Sequence, residues 1–176
     1  MSLSSWPVRI AASIQAVNSM LGRACAWLTL FLVLGTACGV VMRYALGIGA
    51  TALQEAVMYA HALTFMGTAA WALQRQAHVG VDIFYQNFSE RKKALVNTTG
   101  HLFLLLPMCL FLGWNSWDYV ANSWAIKETS GETGGLGFMY LQKSIILLLV
   151  VSLLLQGISD LVLLIKQLFA PQVAED

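Results

Sequence analysis

Glu55, His61, His101 and Asp160 are the residues whose types and positions could support chemistry, because each stands in or beside a long apolar run. An ionisable group in such surroundings is costly and needs a partner or a task. Histidines on different helices can ligate haem, as in redox membrane anchors, so His61 and His101 could serve that chemistry. A lone histidine in a helix is more often a hydrogen-bonding structural residue. Asp160 follows Gln156 by four residues, which sets both on one helix face. That pair suits a proton or ion site, or a contact at a helix end. Glu55 has three readings: it reaches an interface, it pairs with Arg43 across a short loop, or it fixes a partner subunit through an ion pair. Cys25, Cys38 and Cys109 form no CxxC pair and fit no zinc spacing, so they read as small packing residues. The sequence holds no Walker loop, Rossmann fingerprint or HExxH site. No cofactor or metal site is expected.

The elements that must position these residues are four apolar runs, at about 24–42, 52–73, 94–117 and 140–165. The first carries no charge across 19 residues, about 28 Å as a helix, which is enough to cross a hydrocarbon core of about 30 Å. The whole chain of 176 residues is 58% hydrophobic and only 11% charged, against about a quarter charged in soluble domains. A bilayer solves the surface problem that this composition creates, and in lipid each run must be helical because its backbone has no other partners. The fold class is therefore an all-α membrane protein with four transmembrane helices, organised as one integral membrane domain over 1–176. A cleaved leader is not expected, since the first run exceeds the usual 7–15 residues and no small-x-small site follows it.

Basic residues set the orientation. Arg9 and Arg23 precede the first run, Arg75, Arg91, Lys92 and Lys93 lie between the second and third, and Lys166 follows the fourth. Both termini should then be cytoplasmic, with Trp114 and Trp117 in an aromatic belt at the outer end of the third run. Residues 8–22 place Ile10, Ile14, Val17 and Leu21 at helical spacing and predict an amphipathic helix lying in the interface. A second interfacial helix is expected within 78–93. The outer loop 122–137 mixes Lys127, Glu128 and Glu132 with glycines and suits either a partner surface or a solvated connection. The net charge of +1, with no basic tract longer than Arg91-Lys92-Lys93, excludes nucleic acid as a partner. Gly35 and Gly39 form a GxxxG in the first run, and Gly67 extends a stripe of small residues in the second, a pattern that lets helices approach closely.

The order of several motifs is distinctive. Arg43-Tyr44 closes the first run and Gln54-Glu55 opens the second, followed by Gly67, Arg75 and His78-Val79-Gly80-Val81-Asp82. Glu128, Ser130-Gly131-Glu132, Gly134-Gly135-Leu136-Gly137, Lys143 and Leu155-Gln156-Gly157 come later. Over about 20–165 this pattern resembles the small, DctQ-like membrane subunit of tripartite ATP-independent periplasmic (TRAP) transporters. The family often has a Trp before an acidic pair, where Leu53 and Gln54 stand here and leave a single Glu55.

The resemblance implies a non-catalytic permease subunit in a bacterial inner membrane, in a sodium-coupled symport system for organic acids. It implies two protein partners besides membrane lipids: a large multi-span permease subunit that moves substrate by an elevator motion, and a periplasmic substrate-binding protein. Arg43, Tyr44 and Glu55, with Gly35, Gly39 and Gly67, are then the candidates for the subunit interface. Glu128 and Glu132 are candidates for meeting the binding protein, and Arg75, Arg91, Lys92 and Lys93 would set depth in the bilayer. The alternatives are a haem- or quinone-binding anchor of a redox complex and a self-sufficient carrier with Glu55 and Asp160 along its path.

Overall fold

A computed structural model describes residues 6–75 and 88–169. Four helices fill them: α1 (Trp6–Ala45), α2 (Thr51–Gln74), α3 (Glu90–Ala125) and α4 (Met139–Phe169), each long and apolar enough to cross a membrane. They correspond one to one with the four apolar runs. The 46–50 turn reverses the chain at Gly47, whose φ of +66° suits glycine, and Ile48 N–H donates to Met42 C=O at 3.0 Å. The connections 46–50 and 126–138 lie at one end of the helices, called here the loop end. Trp6 and Phe169, the first and last described residues, lie at the other, the terminal end.

Residues 8–22 do not form a separate helix lying flat. They are the first part of α1, which runs unbroken for 40 residues, about 60 Å, and this stretch stands against α4. The physical reason is its buried face. Ala11, Asn18 and Gly22 face inward, while Ile10 and Val17, from the expected apolar face, are exposed. In lipid, large apolar side chains need no protein cover, and small or hydrogen-bonding residues make the helix contacts. The expected interfacial helix within 78–93 lies mostly outside the described residues, and from Glu90 onward the chain belongs to α3.

The last helix is the hub. α4 packs against each of the others, α1 and α2 pair along their length on one side, and α3 joins through α4. The residues that α4 buries are mostly small or polar: Val150, Ser152, Gln156, Gly157 and Ser159. Within α3, residues His101–Leu105 open into a π-helical turn, and Leu106 N–H reaches back five residues to His101 C=O. Pro107 accounts for it, since proline cannot donate to Phe103 C=O and its ring crowds that carbonyl. Leu105, in the widened turn, seats against Gly157 of α4, where an added Cβ would stand 2.8 Å from Leu105 Cδ2.

Candidate functional site

The loop end is organised around Glu55. Its position in the first turns of α2 directs the carboxylate toward the 126–138 connection, where Ser130 Oγ donates to Oε1 and Leu136 N–H donates to Oε2 at 2.6 Å. Gly135 permits this approach, because a Cβ there would stand 2.8 Å from Glu55 Oε1. Ser130 Oγ also accepts Glu132 N–H at 3.1 Å. Among the described residues Glu55 makes no ion pair with Arg43, so the reading in which the two join across the short turn is not how they are arranged.

A second contact set closes the same connection onto α4. Lys143 Nζ pairs with Glu128 Oε2 and lies 4.1 Å from the Tyr119 ring centroid. The Lys143 ammonium holds the Glu128 carboxyl below the ordinary range. Lys127, at a φ of +49°, sets its ammonium 4.6 Å from the Trp124 ring and 5.0 Å from Tyr140. Trp124 in turn donates its indole N–H to Ser144 Oγ at 2.7 Å. Glu132 is exposed, so of the two acidic residues expected to meet a partner, Glu128 is engaged within the chain and Glu132 is presented outward.

Four of the interface candidates meet in one place. Gly35, Gly39, Arg43 and Tyr44 line a groove between α1 and α2 with Thr36, Val40, Gln54 and Val57. Gly35 also brings α1 and α2 together within the chain, since an added Cβ would lie 2.7 Å from Val57 Cγ2. Gly67 acts in the same way lower on this seam, against Cys25 Sγ at 2.6 Å from its would-be Cβ. Arg75 ends α2 with its guanidinium 5.6 Å from the Trp71 ring centroid. At the start of α3, Arg91 and Lys92 are exposed and Lys93 pairs with Glu90 at 2.9 Å. Trp114 and Trp117 are exposed toward the loop end of α3.

Nearer the terminal end a polar network crosses three helices. Asn18 of α1 donates to Ser152 C=O at 3.2 Å and to Gln156 Oε1 at 3.0 Å. Gln156, fully buried, donates to Asp160 Oδ1 at 2.9 Å, and Asp160 Oδ2 faces His101 Nε2 of α3 at 3.5 Å. His101 Nδ1 lies 2.8 Å from Asn97 C=O, and Ser159 donates to Ala11 C=O at 3.1 Å. The spacing of Gln156 and Asp160 had placed them on one helix face. Asn18 was not expected, although Ala11, Asn18, Gly22 and Cys25 recur at helical spacing as small or polar residues, the signal of a close helix contact.

This geometry engages one of the two histidines that a haem anchor would use and leaves the other outward. His61 is exposed on α2, while His101 directs both ring nitrogens at α3 and α4. No group of three metal-ligating side chains occurs among the described residues.

A family model for the DctQ component of tripartite ATP-independent periplasmic transporters matches residues 32–167. The chain belongs to this family. Comparison with curated proteins and with solved structures gives no match. As a DctQ component the protein is a multi-pass, non-catalytic subunit of the inner membrane, and the tripartite system implies a large permease component and a periplasmic binding protein beside it. The match takes in Glu55, Ser130, Gly135 and Leu136 at the loop end, and His101, Gln156 and Asp160 in the polar network. Asn18 lies outside it.

Proposed function

We propose that this DctQ chain is the stationary part of a sodium-coupled TRAP transporter for organic acids, anchoring the scaffold of an elevator-type large subunit. The observation that carries this reading is that four polar residues of its helices find their partners within the chain. Glu55, Asn18, Gln156 and Asp160 bond within the chain. A subunit built so has cross-braced helices that resist tilting, as a stator for a moving domain must. The same pairing counts against a carrier with Glu55 and Asp160 along its path.

Both termini face the cytoplasm in this reading, because the basic residues concentrate at the terminal end. The chain acts as one membrane domain. Arg43, Tyr44 and Gln54 at the mouth of the α1–α2 groove meet the large subunit, with Gly35 and Gly39 forming the groove floor. Gly67 and Glu55 contribute by holding α1–α2 and the outer connection in shape. Glu132 is the residue offered to the binding protein. The organic-acid and sodium assignments rest on the family resemblance.

The test is co-purification with the large subunit and uptake in proteoliposomes. Arg43→Glu should weaken subunit association about tenfold and lower uptake with it. Unchanged complex yield and unchanged uptake would remove Arg43 from the interface. Full sodium-driven uptake by the large subunit without this chain would overturn the anchoring role.

A further inference from the structure

A second groove on the α1–α2 seam opens at the terminal end, lined by Ala26, Thr29, Thr64, Thr68, Trp71, Ala72 and Arg75. The two ends of this groove differ in chemistry. Arg75 stands at its mouth, exposed, with no acidic partner among the described residues. Its guanidinium is held over the Trp71 ring, and the buried Trp71 indole N–H has no acceptor among them. Arg23, next to the Gly22 that backs Trp71, adds a second exposed cation at the same level. Deeper in, the wall turns apolar. Thr64 and Thr68 donate their hydroxyls back to Ala60 and Thr64 carbonyls at 2.8 Å, which leaves methyl groups and alanines to fill the surface.

We propose that this groove is a binding site for one anionic phospholipid. The phosphate sits on Arg75 beside Trp71, and one acyl chain lies along Ala72, Thr68, Ala26 and Thr64. The dimensions agree: from Arg75 to Thr64 is eleven residues of α2, about 16 Å, close to half of a hydrocarbon core of about 30 Å. The groove is thus as deep as one leaflet, with its cation at headgroup level. A free anion would use the mouth alone and leave the apolar length empty. The anchoring role proposed above is not needed for this inference, which requires only that the chain lies in a membrane.

The experiment is lipid titration of the full-length chain in mild detergent, with bound lipid counted by native mass spectrometry. Phosphatidylglycerol should bind at least about fivefold more tightly than phosphatidylcholine, the factor one membrane-surface cation contributes. Arg75→Gln should abolish that preference, whereas Arg91→Gln, at the same end but outside the groove, should keep it. Ala72→Phe, which fills the apolar length, should reduce binding of both lipids. Equal binding of the two lipids by the wild type would overturn the proposal, as would a preference that survives Arg75→Gln or falls equally with Arg91→Gln. Inorganic phosphate that displaces phosphatidylglycerol at millimolar concentration would instead assign the mouth to a free anion and overturn the lipid reading.

Discussion

Glu55 on α2 accepts the backbone N–H of Leu136 at 2.6 Å across 81 residues of sequence. With the bond from Ser130, this makes a carboxylate the organising centre of the 126–138 connection. Carboxylates that accept backbone N–H groups form strong, charge-assisted bonds. Glu55→Ala should therefore release the 128–137 segment without unfolding the helices. Glu55→Gln, which keeps one acceptor oxygen, should release it less. Hydrogen exchange by mass spectrometry checks this at the Leu136 amide. Protection unchanged in Glu55→Ala would show that the loop is held by other contacts.

The Glu128–Lys143 pair gives the same connection a dependence on pH. The Glu128 carboxyl is held below its ordinary value of 4.5, first by Lys143. A group with a lowered folded value stabilises the fold fully above its unfolded value and loses that contribution as pH falls through the folded one. The pair should thus be intact at neutral pH and fail only below about pH 4.5. Lys143→Met should raise the Glu128 value and move loop opening to higher pH. Exchange rates in 126–138 followed from about pH 7 to about pH 3 test this across the window in which the carboxyl titrates. A midpoint that does not move in Lys143→Met would separate the loop from this ion pair.

The four spans were legible because a charge-poor apolar run of about 20 residues matches the thickness of a bilayer and would be poorly tolerated on a surface in water. The run at 52–73 became Thr51–Gln74, and the run at 140–165 became Met139–Phe169. Residues 8–22 misled for a physical reason. Large apolar residues at helical spacing suit a helix lying flat with that face in lipid, but Ile10 and Val17 face outward just as well on a helix that stands against α4, and Asn18 is buried at 2% exposure. The partners of Glu55 were illegible because no periodicity links α2 to a loop 75 residues later. The glycines at 131, 134 and 135 marked a tight loop, but the carboxylate it folds around is visible only in three dimensions.

The close approach of Gly67 to Cys25 makes the α1–α2 seam sensitive to a single methyl group. A Cβ at residue 67 would lie 2.6 Å from Cys25 Sγ, closer than such atoms tolerate. Gly67→Ala should destabilise the protein by about 1–3 kcal/mol through overpacking. Cys25→Ala, which removes the sulfur, should recover much of that loss when combined with it. Thermal unfolding of the two single variants and the double variant measures the coupling. Strictly additive effects would place the strain elsewhere on the seam.

Asn18 and Gln156 carry the remaining prediction, because their 3.0 Å bond ties α1 to the hub helix where both side chains are buried. Asn18→Leu leaves Gln156 Oε1 without its donor, and Gln156→Leu leaves both Asn18 and Asp160 short of a bond. Each single change should destabilise by about 1–3 kcal/mol. Removing both partners leaves fewer unmatched groups, so the double variant should be less harmed than the sum of the two. The coupling should fall at about 0.6–1.7 kcal/mol, the range of hydrogen bonds between membrane helices. Asp160→Asn is the internal comparison, since its amide oxygen still accepts from Gln156 while the carboxyl oxygen facing His101 is replaced. If Asp160→Asn destabilises more than Gln156→Leu, the contact with His101 of α3 outweighs the amide bonds to α1. The reverse order would make Gln156 the residue that holds the three helices together.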